Sequence, residues 1–189
     1  MKHRGPLITL VVVLGALVLV LSLNDALIPN QASAPGAAAS TRPRVLPTSV
    51  FAGKDDAGKM AVAIAVKDGK AVGYLCDGRS TEAWLTGTQV SGHVTLEAPK
   101  GDATVYADVS RNSVAGVAVV GDDEFDFNID RAEPPAGLYR KKDDKTTIGW
   151  IILPDGRQVG IANTNGTKAP APTLDLKTGE ADLVTGETR

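Results

Sequence analysis

The sequence predicts an all-β fold, a small antiparallel barrel or sandwich of about 8–10 short strands, preceded by one N-terminal transmembrane helix. Two observations carry the β domain: apolar residues alternate with polar ones in short runs, and Gly, Pro and Asp punctuate those runs. From residue 45 onward no window has a convincing helical stripe, and the nearest, Ser80 to Leu85, allows one turn. The third observation lies ahead of the domain, where Leu7 to Leu23 runs without a charge.

That run, LITLVVVLGALVLVLSL, would span roughly 26 Å as a helix, against a hydrocarbon core of about 30 Å. Lys2, His3 and Arg4 precede it, and no Lys or Arg follows until Arg42. The asymmetry places residues 1–6 in the cytoplasm, a signal-anchor helix over 7–28 between Leu7 and Leu23 and their flanks, and the rest outside the cell membrane. The rival is a cleaved signal peptide, whose apolar region is usually about 7–15 residues. Ala32-Ser33-Ala34 has cleavage-site spacing, but Pro35 follows it and obstructs processing. No cysteine near the run offers a lipid anchor. Residues 29–47, rich in Ala and Pro, read as a flexible linker, because small residues bury too little surface to offset the entropy of ordering them.

The β domain is assigned to residues 48–163. In Met60 to Val66 the larger side chains alternate with alanines, so both faces are apolar and both should be covered. Lys67-Asp68-Gly69-Lys70 supplies a hairpin turn, because Asp-Gly tolerates the positive φ that a type I′ turn demands. Ala71 to Cys76 returns, and Asp77-Gly78 begins a reversal towards Glu82 to Thr86. Strands follow at His93 to Glu97, Ala103 to Val109, Val114 to Val120 and Glu124 to Asp130, then a weaker one at Leu138 to Lys141. Ile148 to Leu153 and Arg157 to Ala162 form a last hairpin across Pro154-Asp155-Gly156, taken as a two-residue loop with positive φ at the glycine. Residues 164–189 read as a largely irregular tail, with Leu174, Leu176, Leu183 and Val184 able to dock part of it.

A short cytoplasmic end, an Ala/Pro stalk, paired Asp-Gly hairpins and the closing GWIILPDGRQVG together resemble membrane-anchored extracytoplasmic β-domain proteins of high-GC Gram-positive bacteria. The resemblance implies an outer-facing β domain in the cell envelope. It brings no catalytic residue and no activity.

Composition narrows the chemistry. A formal charge of −2 with no polybasic stripe argues against nucleic acid. Cys76 shares a strand face with Val72 and Tyr74, which makes it a small buried hydrophobe, since an activated thiolate needs a cation or helix N-terminus beside it. His93 falls on the polar face of its own strand and has no second imidazole at ligand spacing. Asp122, Asp123, Glu124, Asp126 and Asp130 line a solvated strand face and do not encircle a point, as calcium requires. No cofactor or metal is therefore expected. Trp150 belongs to the core, whereas Trp84, beside Glu82 and Thr86, is expected to be exposed. If it shares one exposed surface with Tyr106, the two would form a partner-contact patch, because aromatics concentrate binding energy. The competing reading, which the commonness of isolated surface apolar residues favours, is a Trp that covers a barrel end.

These readings favour a single-pass, membrane-anchored, non-catalytic module that binds or organises an envelope protein or polymer. Oligomeric state is left open. The alternatives are an envelope-acting enzyme centred on Cys76 or the acidic cluster, and an accessory subunit of a membrane complex that makes contact through its helix. Gly15 and Ala16 give that helix only a small close-packing patch.

Overall fold

The computed structural model describes residues 49–186. The helix expected over 7–28 and the linker over 29–47 lie outside the described residues. Within them the protein is all-β and antiparallel, and no helix occurs.

The chain enters as β1 (Ser49–Lys54) and runs up and down through β2 (Ala61–Lys67), β3 (Lys70–Cys76), β4 (Glu82–Val90), β5 (His93–Glu97), β6 (Ala103–Val109), β7 (Ser113–Val120) and β8 (Asp123–Asp130). Each strand pairs antiparallel with the next in one eight-stranded sheet. Bridges from Phe51 to Arg131 and from Asp55 to Phe127 bring β8 back to β1, so the sheet is a nearly closed barrel. Near-closure removes the long unpaired edges that would otherwise recruit other strands.

A second sheet follows, built from β9 (Gly137–Lys142), β10 (Thr146–Ile152), β11 (Gln158–Thr164), β12 (Thr167–Pro170) and β13 (Asp182–Leu183). Its order is β12-β11-β10-β9-β13. Thirteen strands among the described residues exceed the number expected, because β1, β12 and β13 carry too little alternation to be legible.

The turns do what their sequences require. Lys67 pairs with Lys70, leaving Asp68 (φ 52°) and Gly69 (φ 77°) as a two-residue loop with both angles positive. The loop at Gly156 differs from the two-residue expectation. Gly156 N–H donates to Leu153 O and Leu153 N–H to Arg157 O, both at 2.9 Å, so Pro154, Asp155 and Gly156 form a three-residue loop with Gly156 at φ 83°. Proline suits the first loop position of a type I turn, and glycine the left-handed position that follows it. Ser80 to Leu85 makes no helical turn, since Glu82 to Leu85 are paired into β4.

The core lies in three layers. Met60, Val62, Ile64 and Val66 fill the barrel interior with Phe51, Leu85, Leu96 and Val105. The alanines on the other face of β2, Ala61, Ala63 and Ala65, join Ala52 against Leu138, Ile151 and Ile161 of the second sheet. Small side chains there let the second sheet close onto the barrel wall, and interiors tolerate no gap at such a contact. The outer face of the second sheet carries Tyr139, Trp150 and Ile152, packed with Leu174 from the tail. Each large side chain so buried stabilises the fold by about 1.5–3 kcal/mol.

The tail is thus part of the fold and not a loose thread. It contributes β12 and β13, Trp150 Nε1 donates to Pro172 O at 2.7 Å, and Gln158 exchanges two hydrogen bonds with Leu174. Leu174 and Val184 are buried, while Leu176 and Leu183 stay exposed.

Candidate binding surface

The second sheet covers only part of the barrel wall. Outward residues of β1 to β3, from Ala52 through Ala63 and Ala65 to Val72, Tyr74 and Cys76, are buried beneath it. On β4 the cover ends midway: Glu82 and Trp84 are half-buried, whereas Thr86, Thr88 and Val90 are exposed. Among the described residues, none forms a second layer over the outer faces of β5 to β8, and most of their outward residues are exposed.

On this open face the register sets Thr95, Tyr106, Val117 and Asp126 side by side across the four strands. Glu97, Thr104, Val119 and Glu124 form the next row, and His93, Asp108, Ala115 and Asn128 the row on the other side. Direct cross-strand neighbours have Cβ atoms about 4.5–5.5 Å apart and diagonal ones about 7–8 Å, so Val117 is the direct apolar neighbour of Tyr106 on β7, with Val119 and Ala115 on its diagonals. Tyr106 is 58% exposed, which is unusual for an aromatic in a chain so poor in them. A shallow groove of about 330 Å³ runs beside it, lined by His93, Thr95, Asp108 and Ala115.

Trp84 does not join that surface, which corrects the expectation that it is exposed. Its ring stacks on Tyr74 with centroids 4.3 Å apart, and Arg140 of β9 stands over it at 5.2 Å. Gly149 of β10 lies so close that a Cβ there would come within 2.7 Å of the Trp84 ring. Alternation correctly places Trp84 on the outer wall. The second sheet then lies over that part of the wall, and burial even leaves Trp84 Nε1 without a hydrogen-bond partner.

The same junction holds a polar network that sequence reasoning missed. Glu82 accepts hydrogen bonds from Tyr74 Oη and from Asn163 Nδ2, each at 2.9 Å, and thereby joins the barrel to β11. The alternating position of Glu82 beside Trp84 suggested solvent, and only the arrival of Asn163 from 81 residues away shows otherwise. Burial raises the Tyr74 phenol well above its ordinary range, with Cys76 and Glu82 adding to the effect.

Cys76 is fully buried in this inter-sheet layer. Burial pushes its thiol up to about 12, so the reactive thiolate is strongly disfavoured at neutral pH. Arg79 sits across a loop organised by Asp77, whose Oδ1 accepts the N–H groups of Arg79, Ser80 and Thr81 at 2.7–3.0 Å. Burial alone would raise the Asp77 carboxyl, but the backbone donors of Arg79, Thr81 and Ser80 outweigh it and hold it below the usual carboxylate range. A bulky maleimide should therefore label Cys76 slowly in the native full-length chain and completely in denaturant. Rapid native labelling would show that the second sheet opens.

His93 lies on the open face, far from Cys76 in register, and its Nδ1 meets Asp108 Oδ1 at 2.5 Å. Both side chains are more than 70% exposed, so the pair adds at most about 1 kcal/mol. Asp122, Asp123, Glu124, Asp126 and Asp130 are all exposed. Among the described residues, no three His, Cys, Asp or Glu side chains converge as metal ligands would. A separate cleft of about 610 Å³ opens at one barrel mouth, where Lys54, Lys59 and Arg79 face Asp77 and Asp123 over Met60 and Phe125. Its mixed charges favour neither sign of ligand strongly.

No protein-family model, no curated protein and no solved structure matches this chain.

Proposed function

We propose that this protein is a single-pass, membrane-anchored extracytoplasmic β domain that acts without catalysis, binding or organising a protein or polymer of the cell envelope through the outer face of β5 to β8. One observation carries the reading: among the described residues the barrel wall is divided between a half occupied by the second sheet and a half left open, with Tyr106 exposed at its centre. Amphipathic aromatics held on a rigid sheet lose little entropy on binding and are over-represented at the energetic centres of interfaces. The apolar run Leu7 to Leu23 supports the anchor, and the preceding Lys2 and Arg4 support the outward orientation of the domain.

The test combines position and topology. A photo-crosslinking residue at position 106 should capture a discrete envelope partner in intact cells, whereas the same residue at Lys177, on the tail, should not. Protease added to spheroplasts should digest the domain while the membrane fraction keeps an N-terminal tag. Protection from protease, or equal crosslinking from both positions, would refute the reading.

A further inference from the structure

We infer that the open face of β5 to β8 takes a basic polypeptide segment, with Lys or Arg side chains flanking an aliphatic residue that seats against Tyr106 and Val117. This deepens the reading of that face as the contact surface and rests on it.

The inference comes from the distribution of charge on an uncovered sheet face. Outward positions of the four strands carry the carboxylates Glu97, Asp108, Glu124, Asp126 and Asp130, and among these described positions no Lys or Arg. The whole chain is nearly balanced, with 20 basic and 22 acidic residues. The acidity of the face is therefore a matter of placement and not of composition. Exposed basic side chains stand elsewhere, for instance Lys141 and Lys142 on β9. His93 is the only ionisable base among those outward positions, and it faces Asp108.

Geometry adds to the charge. Successive outward residues on one strand are about 6.8 Å apart, the same repeat as alternate residues of an extended peptide. Glu124 and Asp126 lie one such step apart on β8, and Glu97 sits three strands away in the same row as Glu124. Tyr106, Val117, Val119 and Ala115 make an apolar centre between β8 and the carboxylates of β5 and β6. A segment with charges at the rim and an aliphatic side chain at the centre meets both features. Complementary charge of this kind raises association rates and excludes like-charged competitors.

The test uses the full-length chain in a non-ionic detergent and a fluorescein-labelled (Arg-Ser-Leu-Ser)₂ peptide, which sets Arg and Leu alternately on one face of an extended segment, with (Glu-Ser-Leu-Ser)₂ as its counterpart. Binding should be seen with the basic peptide only. Asp126→Lys should weaken it at least tenfold, Glu124→Lys similarly, and Tyr106→Ala several-fold at unchanged charge. Asp175→Lys, which makes the same charge change on the tail, should alter it less than twofold. Thermal melts of these surface variants check that each is folded. Equal weakening by Asp126→Lys and Asp175→Lys would reduce the effect to net charge and overturn the proposal, as would indifference to Tyr106→Ala. Self-association that Asp126→Lys abolishes in the absence of peptide would make the occupant a second copy and would also overturn it. Because the peptide assay is independent of cellular location, its failure with successful crosslinking at position 106 would sink only the basic-partner assignment.

Discussion

Gly87→Ala is expected to destabilise the domain by about 3 kcal/mol, lowering the melting temperature by roughly 10 °C. Gly87 points inward from the middle of β4, and a Cβ there would overlap the carbonyl oxygen of Thr95 and lie 3.0 Å from its carbonyl carbon. The obstructing atoms are backbone, so no rotamer change can relieve the clash. β4 and β5 approach this closely because the sheet bends sharply to close on itself, and glycine in a strand interior marks such a corner. Gly116 of β7 plays the same part against the Tyr106 carbonyl and Ala107. Gly121 provides the contrast. It sits at φ 60° with open space around it, so Gly121→Ala should cost only the left-handed backbone penalty, about 1–2 kcal/mol. Equal, small losses at Gly87 and Gly121 in a thermal melt would mean that the barrel does not close as tightly as its strand corners imply.

Ala63→Leu should cost about 2–3 kcal/mol in urea denaturation, by overpacking the layer between barrel and second sheet. Ala63 is completely buried in the layer that also contains Leu138, Ile151 and Ile161. A leucine cannot be accommodated there unless the second sheet lifts from the wall. The same variant should speed maleimide labelling of Cys76, which shares that layer. Ala115→Leu is the matched control, because Ala115 is exposed on the open face, and its effect should stay within about 0.5 kcal/mol. If both substitutions are tolerated alike, the alanine face is not a sealed interface.

Much of the fold was legible because it is written in local periodicity. The alternation in β5, β6 and β8 placed Val94, Leu96, Phe127 and Ile129 inward correctly, and the two apolar faces of β2 required cover on both sides. Positive φ at Gly69, Gly78 and Gly156 follows from local steric demands at the reversals. Other elements gave no such signal. β12 ends at Pro170 and is exposed throughout, while β13 spans only Asp182–Leu183, so pairing alone defines them.

The candidate surface was half legible. Tyr106 lies on the exposed side of β6 as its alternation requires, but Trp84 follows the same rule on β4 and is covered. Periodicity assigns a side chain to a face and says nothing about what lies over that face. Sequence by itself therefore determined the all-β class, the antiparallel hairpins, the inward residues and the burial of Cys76. Only the tertiary structure decided that eight strands nearly close, that a second sheet covers one half of the wall, and that no described residue covers the acidic, Tyr106-centred half. The physical reason is range: turn geometry and alternation act over a few residues, whereas the cover on each face is set by packing between strands far apart in the chain.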